Sequence, residues 1–313
     1  MKYDKHICFL PVMILLTGLV GGCGKGVVSV AGDSYEMKIV IEGYLKAGMP
    51  VSGIHVSRNF PLDQSLRDLP LLPDPSRTEV TLIDMESGQS VQLTFHQPDN
   101  PEDRWFHNYY WEYTGTGFGI QCGRTYRMEV AAVFDGTSLF AAAETTVPSR
   151  EFGVRHVNHD TLQYREYNNK GEMACFIVEF DRAPGCDFYL ACIRALDNRV
   201  ENFIYDNPFA EYSEQDVADD LTDLTFESEV LVNMSLEGGV SRMHLLWNNF
   251  RFYHDYEIVM MAGDKNYKDF YMTYDNVQEM DGNYHEPRFH LEGDGIGVFG
   301  SVVTDTVHVF VKK

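Results

Sequence analysis

Much of the first half of the chain consists of short runs in which apolar and polar side chains alternate. In one run Val91, Leu93 and Phe95 stand at every second position. Successive side chains of a β-strand point to opposite faces of its sheet, so this period indicates strands with one buried face. Asp135-Gly136, between two such runs, is a strong signal for a tight hairpin. About seven short strands separated by turns predict a β-sandwich over residues 36–148.

The second half of the chain continues the strand pattern and adds one helical segment. Strand-like runs lie at 154–166, 172–180, 187–196, 241–247, 255–262 and 304–311. Asp264 can cap a helix, because its carboxylate can accept a hydrogen bond from the backbone of the first turn. After it, aromatic residues recur with the i, i+3, i+4, i+7 spacing of one helical face, at Tyr267, Phe270, Tyr271 and Tyr274.

These patterns predict a mostly β protein with two β-domains. The first domain is an immunoglobulin-like or transthyretin-like sandwich at residues 36–148, and residues 149–153 form a linker. The second is a C-terminal β-rich domain at 154–313, with one packed helix near 265–280. At about 150 residues per domain, the length of the chain agrees with two domains.

Residues 7–23 form an apolar run that follows Lys2 and Lys5 and stops at Gly21-Gly22-Cys23. A short basic start and an apolar run of this length are typical of a secretory signal peptide. Small residues followed at once by cysteine are what lipoprotein signal peptidase requires. We therefore predict a signal peptide at 1–22, lipid attachment at Cys23 and a tether at 23–35. An ordinary signal peptide and an uncleaved anchor are the alternatives.

The chain is strongly acidic, with 25 basic and 47 acidic residues and a formal net charge of −22. Such a surface repels nucleic acid, so nucleic acid is not an expected partner. Residues 211–229 contain eight acidic and no basic side chains. This stretch predicts a solvated loop. Calcium binding is a weaker alternative, because the spacing of a twelve-residue calcium loop is absent.

Four cysteines follow Cys23, and they are Cys122, Cys175, Cys186 and Cys192. An even number in an exported protein is compatible with disulfides. If 172–180 and 187–196 formed a hairpin, Cys175 would stand opposite Cys192 at a distance that a disulfide can bridge. We therefore predict this disulfide, with free buried cysteines as the alternative.

The sequence contains none of the common catalytic motifs. The serine-hydrolase elbow, the zinc-protease motif and the phosphate-binding loop are all missing from it. We therefore predict no catalytic residues, no metal and no cofactor. For ligand contacts the sequence favours the Pro-rich loop 61–77 or an aromatic segment, since aromatic rings stack on sugars and peptides. The candidate residues of that segment are Trp105, Tyr109, Tyr110 and Trp111, and core packing is the alternative role for them.

Several segments, taken in order, resemble a family of lipoproteins from Bacteroidota that is catalogued as domain of unknown function 4249. The segments are Ile39-Val40-Ile41-Glu42-Gly43-Tyr44, Val56-Ser57-Arg58-Asn59-Phe60-Pro61, Gly123-Arg124-Thr125-Tyr126-Arg127-Met128-Glu129-Val130, Thr145-Thr146-Val147-Pro148, Glu286-Pro287 and Gly295-Ile296-Gly297-Val298-Phe299-Gly300. The Gly-Arg-Thr-Tyr segment resembles a turn into a sandwich strand, and the last segment resembles a tight turn before the final strand. Neither is evidently catalytic.

The resemblance implies an outer-membrane lipoprotein of a kind commonly encoded beside TonB-dependent transporters. The expected function is that of a non-enzymatic accessory protein that binds a ligand or such a transporter. An envelope hydrolase acting on glycan or peptide, and a structural adhesin or scaffold, are the alternatives. Surface-exported lipoproteins of this phylum often carry acids just after the cysteine, whereas this chain has Gly24-Lys25-Gly26-Val27-Val28 there. Both the surface and the periplasmic face therefore stay open.

Overall fold

Most of the described chain is β-strand. The computed structural model describes residues 35–61, 71–98, 108–208, 211–232, 240–274 and 287–313. The strands in these residues are β1 Ile39–Lys46, β2 His55–Arg58, β3 Glu79–Asp84, β4 Ser90–Gln92, β5 Thr94–His96, β6 Tyr110–Glu112, β7 Thr125–Phe134, β8 Thr137–Thr146, β9 Gly153–Val157, β10 Thr161–Gln163, β11 Cys175–Asp181, β12 Phe188–Ala195, β13 Phe226–Val232, β14 Val240–Leu246, β15 His254–Gly263, β16 Leu291–Gly293 and β17 Gly295–Lys312. The α-helices described are α1 Glu214–Asp219, α2 Leu221–Leu224 and α3 Lys265–Tyr274. The predicted mostly β fold is confirmed.

The strands form one long sheet and three smaller ones. The long sheet has the order β13-β12-β15-β17-β1-β2, and β10 also pairs with β17. A five-stranded sheet has the order β16-β8-β7-β3-β4, a three-stranded sheet the order β14-β11-β9, and β5 pairs with β6. The predicted hairpin between β7 and β8 is confirmed. Asp135 and Gly136 both have positive φ angles, of 49° and 83°, as a two-residue type I′ turn requires.

Strand β17 joins the two halves of the long sheet. Its first part pairs in parallel with β1, from Gly295 opposite Ile39 onwards. Its second part pairs antiparallel with β15, where Val302 lies opposite Gly263 and Val311 opposite His254. One continuous strand therefore holds N-terminal and C-terminal segments in a single sheet.

The five-stranded and three-stranded sheets pack on one face of the long sheet. Thr145 on β8 reaches Ser301 on β17, with 2.7 Å between their hydroxyl oxygens. Further along, Phe180 on β11 packs against Tyr189 on β12 with ring centroids 5.1 Å apart. The buried apolar side chains of β15 alternate with less buried ones, as expected for a strand with one core face. The arrangement is that of sandwiches that share the long sheet.

The linker predicted at 149–153 does not separate the sheets. Strands β1 and β2 precede this segment but lie in the long sheet, and β16 follows it but pairs with β8. Met37–Lys313 form one compact unit. The reason is that strand partners are chosen by packing between distant segments, which composition along the chain does not reveal.

The predicted disulfide required a hairpin between β11 and β12, and this prediction is wrong. Strand β11 pairs with β14 and β9, whereas β12 lies in the long sheet between β13 and β15. Cys175 and Cys192 therefore belong to different sheets, and both are free thiols. A short Pro-Gly turn between two strand-like runs predicted direct pairing, but here the chain crosses from one layer of a sandwich to the other.

The glycine-rich segment near the end of the chain also differs from the predicted turn. Gly295 and Gly297 lie inside β17 and pair with β1. A Cβ atom on Gly297 would lie 2.1 Å from the carbonyl oxygen of Ile41, and the φ angle of Gly297 is 107°. Glycine is needed there because the neighbouring backbone approaches too closely for any side chain.

The acidic stretch at 211–229 is not a simple solvated loop. It contains α1, α2 and the start of β13. Ser213 and Asp216 form a capping box at the start of α1, and Val217 and Leu224 are buried. The helix α3 is confirmed, with its last described residue at Tyr274. The rest of the predicted helix, at 275–280, lies outside the described residues, as does Cys23.

The Gly-Arg-Thr-Tyr segment is a structural corner of the sandwich. The hydroxyl of Tyr126, at the start of β7, donates to the Gly119 carbonyl (3.1 Å) and accepts from the Gln121 N–H (2.9 Å). Tyr126 is fully buried. Such a bond back to the preceding backbone is the tyrosine corner of β-sandwiches. Next to it, Arg124 forms an ion pair with the buried carboxylate of Asp84.

We expect Tyr126→Phe to lower the free energy of unfolding by about 1–3 kcal/mol, because the Gly119 and Gln121 backbone groups lose their partner inside the protein. Tyr113→Phe is the matched control, since the Tyr113 hydroxyl donates to Thr116 at the surface, and we expect a change below about 0.5 kcal/mol. Urea unfolding followed by circular dichroism measures both. Equal effects of the two variants would contradict the corner.

Acid should weaken the fold through Asp84. Burial acts to raise the pKa of its carboxyl group, but hydrogen bonds from Ser87, Arg124 and Glu86 lower that pKa from 3.8 to about 2. A folded-state pKa below the unfolded value means that ionised Asp84 stabilises the native state above pH 4. This contribution is lost as the pH falls from about 4 to about 2.

The test compares Asp84→Asn with the wild type between pH 2 and pH 7. We expect Asp84→Asn to cost about 1–3 kcal/mol at neutral pH, and the difference to shrink towards pH 2. Asp255→Asn, at an exposed position on β15, should change little at any pH. A difference for Asp84→Asn that does not depend on pH would refute the assignment.

Candidate functional site

The structure divides the predicted aromatic segment between the core and the surface. Trp111, on β6, is 3% exposed and packs against Phe95 on β5 with ring centroids 5.3 Å apart. Its backbone also bridges to Ile54. Trp111 is therefore a core residue and not a surface for stacking ligands. Trp105 lies outside the described residues.

Tyr109 and Tyr110 are half-buried and lie beside two histidines. The ring of Tyr110 stacks on that of His96, with centroids 4.4 Å apart and planes at 17°. The Tyr109 carbonyl lies 2.9 Å from Nδ1 of His55. The stack covers one face of Tyr110 and one face of His96, so these two faces are not open to a ligand. Of the Pro-rich loop, residues 62–70 lie outside the described part of the chain.

A cleft of about 720 Å³ lies where β7, β12 and α3 begin and where β8 and β15 end. Its volume falls in the range of ligand-binding pockets, roughly 300–1,000 Å³. The charged groups in its lining are Glu144, Asp187, Asp264, Lys265, Lys268 and Asp269. We call this the α3 cleft. It combines carboxylates and ammonium groups within one concave surface.

Asp264 fixes the wall of the α3 cleft on which α3 begins. Its Oδ1 accepts from the N–H groups of Tyr267 (3.0 Å) and Ser301 (3.2 Å). Its Oδ2 accepts from the Thr145 hydroxyl at 2.6 Å. That hydroxyl can in turn accept from Ser301. One carboxylate thus connects the helix to β17 in the long sheet and to β8 in the five-stranded sheet. Burial raises the pKa of Asp264, although these hydrogen bonds act to lower it.

Ion pairs connect the charged side chains around the α3 cleft. Lys268 pairs with Asp187, and Lys265 pairs with Asp269. His290 Nε2 lies 2.7 Å from the Asp269 carboxylate. Burial acts to raise the pKa of Asp269, but its hydrogen bonds with Lys265 and His290 lower it overall. The cleft therefore presents charges of both signs that a polar ligand can contact by exchanging partners.

The lining of the α3 cleft also contains a side-chain amide and a thiol. Asn266 Nδ2 donates to the carbonyls of Glu144 (2.6 Å) and Phe299 (2.9 Å), which fixes the helix over the strands. The Cys186 thiol donates to the Gly263 carbonyl at 3.1 Å. Burial raises the pKa of this thiol. It is therefore protonated at neutral pH, and a protonated thiol is a poor nucleophile.

Sequence reasoning recognised Asp264 as a helix cap but did not recognise the α3 cleft. The lining residues come from four separate segments, and no local pattern joins them. Among the residues that the structure describes, no group of three or more His, Cys, Asp or Glu side chains is placed to hold a metal ion. None of the helices within those residues has the length and apolar character needed to cross a membrane.

Comparison with known proteins gives one family match. The model of a family described as "Domain of unknown function (DUF4249)" matches residues 27–304. No curated protein sequence matches the chain.

Similar solved structures include a bacterial ice-binding adhesin of 1.5 MDa, described for its retention on the host cell surface. That structure is 11% identical, with a TM-score of 0.22, and the match covers 89% of this chain and 65% of the adhesin chain. The chicken interferon gamma receptor alpha chain is 8% identical (TM-score 0.18; 74% of this chain and 91% of that one). A chimeric titin Z1Z2 tandem is 9% identical (TM-score 0.18; 88% and 97%).

We expect Asp264→Ala to lower the free energy of unfolding by about 2–4 kcal/mol, since it removes the cap of α3 and leaves Thr145 and Ser301 without their acceptor. Amide hydrogen exchange in the first turn of α3 should accelerate. Asp255→Ala, at an exposed position on the preceding strand β15, is the control and should change stability by less than about 0.5 kcal/mol. A similarly small change for Asp264→Ala would show that the carboxylate does not hold the junction.

Proposed function

The chain belongs to the DUF4249 family, and from this membership and the sequence of its first residues we propose that it is an outer-membrane lipoprotein. In this proposal residues 1–22 are a signal peptide and Cys23 carries the lipid. The folded body is a non-enzymatic accessory protein that binds a ligand, a TonB-dependent transporter, or both. It stands on the surface or on the periplasmic side of the membrane.

Two features of the sequence support an anchored protein. The apolar run at 7–23 ends in small residues followed by Cys23, as lipid attachment requires. The net charge of −22 keeps the body away from anionic headgroups. A soluble body on a short tether is the arrangement that agrees with both.

The observation that supports the binding function is the set of hydrogen bonds and ion pairs in the α3 cleft. Asp264 has its carboxylate engaged by the backbone and by Thr145. The Cys186 thiol donates a hydrogen bond to a carbonyl, and burial raises its pKa. These two groups are thereby engaged in holding the fold, whereas Lys265 and Asp187, one member of each neighbouring ion pair, are 73% and 49% exposed. A cleft of this kind supports the recognition of a polar ligand.

The test is a purification of the tagged full-length chain from native outer membranes in mild detergent, followed by mass spectrometry. We expect the wild type to be labelled by radioactive palmitate and to bring down a TonB-dependent transporter. Cys23→Ser should lose the label and the membrane association. Cys8→Ser, which changes a cysteine inside the apolar run, is the matched control and should keep both.

Two results would overturn the proposal. Palmitate labelling of Cys23→Ser at the wild-type level would refute the anchor. Recovery of the labelled wild type alone, in repeated purifications, would refute the transporter partnership. Release of products from glycans or peptides by the purified chain would favour the hydrolase instead.

A further inference from the structure

A second pocket, of about 520 Å³, lies beside the start of β15 and shares no lining residue with the α3 cleft. Four rings and two carboxylates line it, and they belong to Phe203, Tyr205, Tyr253, His254, Glu201 and Asp206. We call it the Tyr253 pocket. Aromatic faces carry negative potential, so rings and carboxylates together attract a cation.

The two carboxylates are available to a cationic ligand because their present partners are exposed. Asp206 lies 3.0 Å from Arg165, and Glu201 lies 3.2 Å from Arg199. Each of these four side chains is at least 46% exposed. Ion pairs of this kind contribute little free energy, typically about 0–1 kcal/mol. A ligand can therefore replace them at small cost.

The pocket already contains an ammonium group from the chain itself. Lys313 is one of its lining residues, and its Nζ lies 5.9 Å from the centroid of the Tyr253 ring. That distance is within the reach of a cation–π contact, about 6 Å. The side chain of Lys313 thus shows which chemical group the ring accepts.

The backbone at the edge of the pocket is strained. His254 has a φ angle of 87°, a conformation that side chains other than glycine rarely adopt. Its Nδ1 lies 2.9 Å from Asp197, and its ring stacks on Phe310 with centroids 5.8 Å apart. These contacts hold the imidazole in the pocket wall. Strain of this kind is concentrated at functional sites.

We propose that the Tyr253 pocket binds a primary alkylammonium group and that Lys313 competes with it for the Tyr253 ring. The ligand is either a lysine side chain of a partner polypeptide or a free diamine. The net charge of the chain, −22, raises the local concentration of both. This binding is independent of the α3 cleft and of the transporter partnership, so its failure would leave the proposed function untouched.

The experiment measures binding to the full-length chain in detergent by saturation-transfer NMR and isothermal titration. One probe is Nα-acetyl-lysine amide, which represents a polypeptide, and the other is 1,5-diaminopentane. Nα-acetyl-norleucine amide has the same chain without the ammonium and is the control ligand. We expect both cations, and not the control, to bind to the wild type. The cation that binds more tightly shows whether the ligand is a lysine side chain of a polypeptide or a free diamine.

Variants test the Tyr253 ring and the competing Lys313 side chain separately. Lys313→Ala should tighten binding about three- to tenfold, whereas Lys312→Ala, at the neighbouring position, should not. Tyr253→Leu should weaken binding about three- to tenfold, as expected for a cation–π contact. Tyr253→Phe keeps the ring and should bind like the wild type, which controls for misfolding.

Two outcomes would overturn the proposal. One is equal binding of the norleucine control and the lysine probe, which would show that the ammonium is not recognised. The other is a folded Lys313→Ala variant that binds neither cation at millimolar concentration.

Discussion

The structure depends on the pairing of one long strand. β17 runs for 18 residues, from Gly295 to Lys312, and hydrogen-bonds to β1 with its first part and to β15 with its second. The five-stranded and three-stranded sheets then pack on the sheet that β17 unites. The close approach of Gly297 to the Ile41 carbonyl shows how tightly this pairing is made. Just before β17, Asp294 bonds to Phe140 of β8 and to Ile39 of β1, so the chain enters the long sheet at a fixed point.

The α3 cleft is a consequence of that pairing. Asp264 can reach Thr145 and Ser301 only because β15, β17 and β8 end or pass at the same place. Burying a carboxylate is unfavourable unless its oxygens are hydrogen-bonded, and here both oxygens have donors. The same carboxylate that begins the helix therefore also holds two sheets together. This double role joins several of the segments that line the cleft.

Segments in which the sequence resembles the family have structural roles. Tyr126 closes a sandwich corner, Arg124 neutralises the buried Asp84, and Gly297 allows two backbones to meet. Such residues specify the scaffold and leave the ligand open, because one fold can carry many functions. Recognition then belongs to surfaces that the scaffold positions. The α3 cleft, with charges of both signs, and the Tyr253 pocket, with rings and carboxylates, are two such surfaces of different chemistry.

The sequence by itself determined the local elements. Alternation predicted most strands, Asp135-Gly136 predicted a hairpin, and the spacing of aromatic residues after Asp264 predicted a helix. These features depend on neighbours a few residues apart, where side-chain direction and turn geometry follow from the residues themselves. Only the tertiary structure decided which strands pair. It placed Cys175 and Cys192 in different sheets, buried Trp111 in the core, and assembled the α3 cleft from distant segments. The physical reason is that pairing and burial are settled by packing between segments far apart in the chain, and no short sequence pattern records that choice.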